Sequence, residues 1–191
     1  MFRATATATT IATMLSIPAL AHVPVFDIDA KTIQAPFVIE DAQHSKAIYA
    51  KLDGDADIYK IQEAEPFDFY VGITVPKPEG CARQSGFSFD VLDADMKVID
   101  QRRASDSDWQ PWFEEFGKRW YWVGPQIGED FASLSVYPAG TYYIRVFNDT
   151  NQGKYVLAVG DDEKFGLGTL LTIRKTVRAI DPVFWNEQDC P

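Results

Sequence analysis

The chain has 191 residues, a formal charge of −10 and 14 % aromatic residues. That acidic balance argues against nucleic acid, whose phosphates need a basic face, and against anionic membrane surfaces. The length suits one domain with a single well-buried core.

Residues 1–21 read as an export signal rather than as part of the fold. Arg3 is the only charge there, Ile11, Met14, Leu15 and Ile17 are apolar, and Ala19-Leu20-Ala21 is a small-x-small cleavage site. The apolar part is too short and too rich in threonine to span a bilayer. Cleavage after Ala21 makes His22 the new N-terminus of an exported protein, periplasmic or extracellular, with no transmembrane segment in the mature chain. Only two cysteines are present, Cys81 and Cys190. In an exported chain a disulfide between them is the expectation, tying the C-terminal tail to the body. Closing a loop of that length would contribute on the order of 4 kcal/mol.

Strand signals begin at 36–40 and 47–52 and continue at 58–62 after an acidic turn. Phe67, Phe69, Val71 and Ile73 alternate with Asp68, Tyr70, Gly72 and Thr74, which reads as one strand. Phe87, Phe89 and Val91 form another, turned by Asp93-Ala94-Asp95 into a short strand at 97–100. Residues 102–130 break the period. The segment opens polar and then carries Trp109, Trp112, Phe113, Phe116, Trp120, Tyr121 and Trp122, which reads as a long insertion with a helical turn at 111–116.

Residues 131–136 then lead into the clearest pattern of the chain. Tyr142, Ile144 and Val146 share one face, Asn148 to Gly153 supplies turn chemistry, and Tyr155, Leu157 and Val159 resume the period of two, predicting a β-hairpin. In the tail, Leu170, Ile173, Val177 and Ile180 have helical spacing, with Asp181-Pro182 as the stop. The reading is an all-β, jelly-roll-like antiparallel sandwich over 22–165, with the aromatic insertion at about 102–130 and a short C-terminal helix and tail over 166–191.

The chain resembles the bacterial pre-peptidase C-terminal domain, a jelly-roll-like sandwich attached to secreted enzymes and also found free-standing. Two segments carry the resemblance. Gly54-Asp55-Ala56-Asp57-Ile58-Tyr59-Lys60-Ile61 looks like that family's acidic turn and aromatic strand. Pro138-Ala139-Gly140-Thr141-Tyr142-Tyr143-Ile144-Arg145-Val146, continued by Gly153 to Val159, looks like its closing strands. The likeness spans roughly 40–160, while the aromatic insertion and the tail lie outside the family pattern. It implies a non-catalytic module that binds polymeric or surface ligands or aids secretion.

Four features could carry chemistry. Asp53, Asp55 and Asp57 place carboxylates two apart, as calcium loops do. The pattern is not an EF-hand, since Ala64 stands where a bidentate glutamate is needed, so the cluster reads as either a calcium turn or a solvated strand entry. Trp109, Trp112, Phe113 and Phe116 could form a platform for sugar rings or another apolar partner, Trp109 and Trp112 being the exposed candidates and Trp120 and Trp122 the packed ones. His22 and His44 are the only histidines, and an N-terminal histidine with a second one can chelate copper. No nucleophile elbow, His-Glu-x-x-His or phosphate loop is present. The resulting expectation is an exported non-catalytic binding or accessory module with a polysaccharide or cell-surface ligand. The alternatives are an envelope protein acting through a protein interface, or a histidine-brace copper protein.

Overall fold

A computed structural model describes residues 22–81, 86–115, 117–163 and 167–185, with backbone alone for 167–172. The strands are β1 (Val23–Phe26), β2 (Phe37–Ile39), β3 (Lys46–Asp53), β4 (Asp57–Glu63), β5 (Phe67–Asp68), β6 (Val71–Pro76) and β7 (Ser88–Leu92). They continue as β8 (Val98–Arg102), β9 (Gln110–Glu114), β10 (Arg119–Ile127), β11 (Val136–Tyr137), β12 (Gly140–Phe147) and β13 (Gln152–Val159), followed by the helix α1 (Leu167–Phe184). A six-stranded sheet in the order β1-β3-β13-β6-β10-β9 faces a five-stranded sheet in the order β2-β4-β12-β7-β8. The fold is an all-β sandwich with α1 laid against it.

The expected β12–β13 hairpin does not form. β12 pairs with β4 and β7, while β13 pairs with β3 and β6, so the turn at Asn148–Asn151 carries the chain from one sheet to the other. Asn148 shapes this arch: its Oδ1 accepts from the backbone N–H of Thr150 and Gln152, and its Nδ2 donates to Gln152 O at 2.7 Å. Asn151 and Gly153 both take positive φ. The alternation that suggested a hairpin is real, because Tyr142, Ile144 and Val146 meet Tyr155, Leu157 and Val159 inside the sandwich, yet from opposite sheets.

The sheets are mixed. β1 runs parallel to β3 and β2 parallel to β4, against an otherwise antiparallel pattern. The Phe67-to-Ile73 run is broken at Phe69–Tyr70 into β5, paired with β11, and β6, paired with β10 and β13. Among its described residues the insertion holds no helical turn where one was expected at 111–116. It opens with a short 3-10 turn at Ala104–Asp106, and residues Gln110–Glu114 are a strand paired with β10. Pro111 is tolerated there because β9 is the edge of its sheet, where a missing N–H costs no ladder bond. β9 ends at Glu114 and its partner β10 begins at Arg119.

The core consists of residues such as Ile48, Tyr59, Phe69, Phe89, Ile144 and Leu157, all fully buried. Each contributes roughly 1.5–3 kcal/mol by leaving water. On β6 and β13 the side chains on both faces are buried, including Thr74, Val156 and Ala158 on the face turned away from the core. That second apolar face is what α1 covers, using Ile173, Ile180 and Phe184. The helix passes the expected stop at Pro182 and ends at Phe184, whose ring packs edge-on to Tyr49 at 5.2 Å and Phe26 at 6.2 Å. Burial of Phe184 offsets the helical hydrogen bond that Pro182 cannot make. No helix among the described residues is long and apolar enough to cross a membrane.

Candidate functional site

Alternation along the β9–β10 hairpin sorts its aromatics onto two faces. Trp112 pairs with Tyr121, and Phe113 with Trp120, so the first pair points toward α1 and the second away from it. Each face builds a different surface.

On the face away from α1, Phe113 and Trp120 lie 5.1 Å apart between ring centroids, and Trp120 is 46 % exposed. Trp122, two residues on, packs against the core. Lys77 reaches over both indoles, 5.7 Å from Trp120 and 5.3 Å from Trp122, and Lys118 lies 5.8 Å from the Phe113 ring. The result is an aromatic ledge with two ammonium groups beside it.

On the other face, a cavity of about 90 Å³ opens between α1 and the six-stranded sheet. Its floor is made of small side chains, Ala47, Thr74, Val156 and Ala158, and its roof of Val177 and Ile180. Its wall is a run of rings. His22 lies 5.8 Å from Phe131, Phe131 4.8 Å from Trp112, Trp112 6.0 Å from Tyr121, and Tyr121 5.2 Å from Trp185. The Tyr49 and Tyr121 hydroxyls share a hydrogen bond of 2.7 Å. Burial pushes the Tyr49 phenol up to about 12 and raises Tyr121 as well. Arg119 pairs with Asp181 at 3.1 Å, tying β10 to α1, and its guanidinium lies 5.2 Å from the Trp185 ring. Burial holds the His22 imidazole down at about 4, partly opposed by the Asp161 carboxylate.

The residues expected to bind ligand are thus divided. Trp112 lines the cavity and Phe113 the ledge, while Phe116 lies outside the described residues. Trp109 is not the exposed ring that its polar surroundings suggested. It packs on the core, donates its indole N–H to Ala104 O at 3.0 Å and sits over Gly124, which has no side chain to keep it out. Trp120, expected to be packed, is the exposed one, at the N-terminal end of β10 beside the edge strand β9.

The aspartate cluster is also divided. Asp53 and Asp55 are exposed on the turn, whereas Asp57 is buried, accepting from Tyr155 Oη at 2.6 Å and facing the Lys31 ammonium at 3.8 Å. Among the described residues no group of three or more His, Cys, Asp or Glu side chains is placed to hold a metal ion, so neither the aspartates nor His22 and His44 belong to such a group. His22 is lodged between Tyr70 and Phe131, and His44 forms a backbone bridge with Asp162. Cys81 is not a free thiol; its expected partner Cys190 lies outside the described residues, as does the 1–21 segment.

The cavity was missed in the sequence, although a signal for it exists. Val71-Gly72-Ile73-Thr74-Val75 and Tyr155-Val156-Leu157-Ala158-Val159 carry no charge on either face, which a strand with one solvated face would have.

No family model matches this chain, and no curated protein matches it. Among solved structures, the chain is similar to the pre-peptidase C-terminal domain of a collagenase from Bacillus anthracis, with 14 % identity, a TM-score of 0.35, and coverage of 70 % of this chain and 98 % of that one. It is also similar to part of the catalytic domain of a GH87 alpha-1,3-glucanase in complex with nigerose. There the identity is 15 % and the TM-score 0.30, over 62 % of this chain and 22 % of that one.

Proposed function

We propose that the chain is an exported, non-catalytic module that binds a polysaccharide through the Phe113–Trp120 ledge. The observation that carries the reading is an indole left 46 % exposed beside a second ring, on an edge hairpin held by a sheet rather than on a loose loop. Large apolar rings are kept in water where a partner covers them, and flat rings suit the apolar faces of sugars. Lys77 and Lys118 add N–H donors for hydroxyl or carboxylate groups beside the stacking surface.

Affinity electrophoresis against neutral and uronate-rich polysaccharides tests this reading. The protein is expected to be retarded by at least one of them, and Trp120→Ala to abolish the retardation without moving the melting temperature. Equal retardation of the variant, or none of the wild type, overturns it. N-terminal sequencing of protein recovered outside the cytoplasm tests export, with His22 as the expected first residue.

A second reading, an envelope assembly protein, draws on Leu134, just before β11, and Val136, at its start, which are 71 % and 64 % exposed. Co-purification of a specific envelope protein that is lost in Leu134→Ser/Val136→Ser, but kept in Trp120→Ala, would favour it.

A further inference from the structure

We propose that the Phe113–Trp120 ledge takes a uronate polymer, a chain of sugar rings with one carboxylate on each residue, and that the Lys77 ammonium selects it over a neutral glycan. The inference rests on the ledge being the polysaccharide site and adds the charge of its ligand.

The register across three strands sets rings and cations in one row. Phe113 of β9 is the cross-strand partner of Trp120 of β10, and Lys77, just past the end of β6, donates its backbone N–H to Trp120 O at 2.9 Å. The β10–β6 register, with Tyr121 opposite Pro76, puts Lys77 beside Trp120 on the same face. Its ammonium lies 5.7 Å from the Trp120 ring and 5.3 Å from the Trp122 ring. Lys118 closes the other end, 5.8 Å from the Phe113 ring. Two strand spacings separate Phe113 from Lys77, about 10 Å, which is the reach of two linked sugar rings.

Charge decides which sugar. Lys77 makes no ion pair among the described residues, and its half-buried stem against two indoles fixes where the ammonium sits. Lys118 pairs with Glu115 at 2.6 Å, but the two side chains are 67 % and 71 % exposed, so a carboxylate arriving from solvent can replace Glu115 at little cost. A cation at each end of a two-ring row suits a ligand charged on successive residues rather than once at a terminus. A uronate carries its carboxylate at the rim of the ring and leaves the apolar face bare for stacking. A heavily sulfated sugar surrounds that face with charge. The chain as a whole carries −10, which repels polyanions, so several charges on each sugar would cost more than two ammonium groups return.

Frontal chromatography of the full chain on beads carrying polygalacturonate, its methyl ester or dextran sulfate reads the proposal. The ester keeps the sugar backbone and removes the charge. Polygalacturonate is expected to bind about fivefold more tightly than the ester, an advantage that fades in about 0.5 M salt. Lys77→Met keeps the stem on the indoles and is expected to erase that advantage without moving the melting temperature, while Lys77→Arg retains it. The net charge of −10 means that a diffuse attraction to the acid polymer cannot imitate the result. Equal binding of acid and ester, an advantage unchanged by Lys77→Met, or tighter binding of dextran sulfate overturns the uronate inference and leaves the ledge standing where Trp120→Ala still abolishes retention. Retention that survives Trp120→Ala overturns both. Retention by none of the three polymers overturns the uronate inference, and the neutral polysaccharides of the electrophoresis above then decide whether the ledge survives.

Discussion

Tyr155 of the six-stranded sheet donates its phenolic hydrogen to Asp57 of the five-stranded sheet, 2.6 Å away in the core. The Tyr59 hydroxyl is 2.6 Å from that of Tyr155, and Lys31, itself 3 % exposed, reaches Asp57 at 3.8 Å and donates to the carbonyls of Asp27 and Asp29. The acidic turn, read from the sequence as either a calcium turn or a solvated strand entry, thus sends one carboxylate inward to join the two sheets.

Tyr155→Phe removes the donor and leaves the carboxylate short of a partner, so it is expected to lower stability by about 1.5–3 kcal/mol in urea unfolding. Burial already raises the Asp57 carboxyl above its ordinary 3.8, with Tyr155 and Lys31 opposing the rise. A raised carboxyl pKa means that the folded state holds the proton longer than the unfolded one, so the Asp57 contribution falls as pH climbs through the window above 3.8. In Tyr155→Phe the opposing hydrogen bond is gone, and that decline should extend to higher pH. A variant curve parallel to the wild type would show that the bond does not hold the carboxylate in its ionised form.

Local patterns carried the strand positions, because alternation at 140–147 and 152–159 reflects which side chains meet the core. They could not carry the pairing. Tyr142 and Tyr155 enter the same interior whether their strands are neighbours in one sheet or face each other from two, and only the arch at Asn148 decides between these. The same limit hid the ligand surfaces. Trp109 and Trp120 have equally aromatic neighbourhoods in sequence, and their opposite exposure follows from Trp120's place at the start of β10 beside the edge strand and from the gap that Gly124 leaves for Trp109.

His22 predicts a second pH dependence, with the opposite direction. Its imidazole is held at about 4 in the fold against 6.5 when free, so between these values the unfolded chain takes a proton that the folded one refuses. Stability should therefore fall as pH drops from 6.5 toward 4, by no more than about 3 kcal/mol from this residue. Relative to His22→Phe, which lacks this titration, the wild type should lose stability as pH falls from 6.5 toward 4, while the difference between the two stays constant above pH 6.5. Curves that keep a constant offset throughout would place the histidine in solvent rather than against Phe131.

The turn at Asp53–Asp57 is expected to be indifferent to calcium. Asp57 is committed to Tyr155 and Lys31, which leaves Asp53 and Asp55 as two exposed carboxylates, too few oxygens for a calcium shell. Millimolar calcium or a chelator should leave the melting temperature unmoved. A rise with calcium that disappears in Asp55→Ala would restore the metal reading of this turn.

Gly124 tests how the tryptophan-rich hairpin is held. A Cβ built there would fall on the six-membered ring of the Trp109 indole, within the bulge between Val123 and Gln126 where β10 leaves its register with β6. The ring cannot back away cheaply, since its N–H is tied to Ala104 O at 3.0 Å and its far side packs on the core. Gly124→Ala is therefore expected to cost about 1–3 kcal/mol through overpacking and to move Trp109 toward solvent, seen as a red-shifted tryptophan emission. Trp109→Leu in the same background makes room beside the new methyl group and should recover part of the loss. If Gly124→Ala alone is neutral in both stability and emission, Trp109 is not seated on this bulge, and the hairpin that presents Trp120 must be anchored elsewhere.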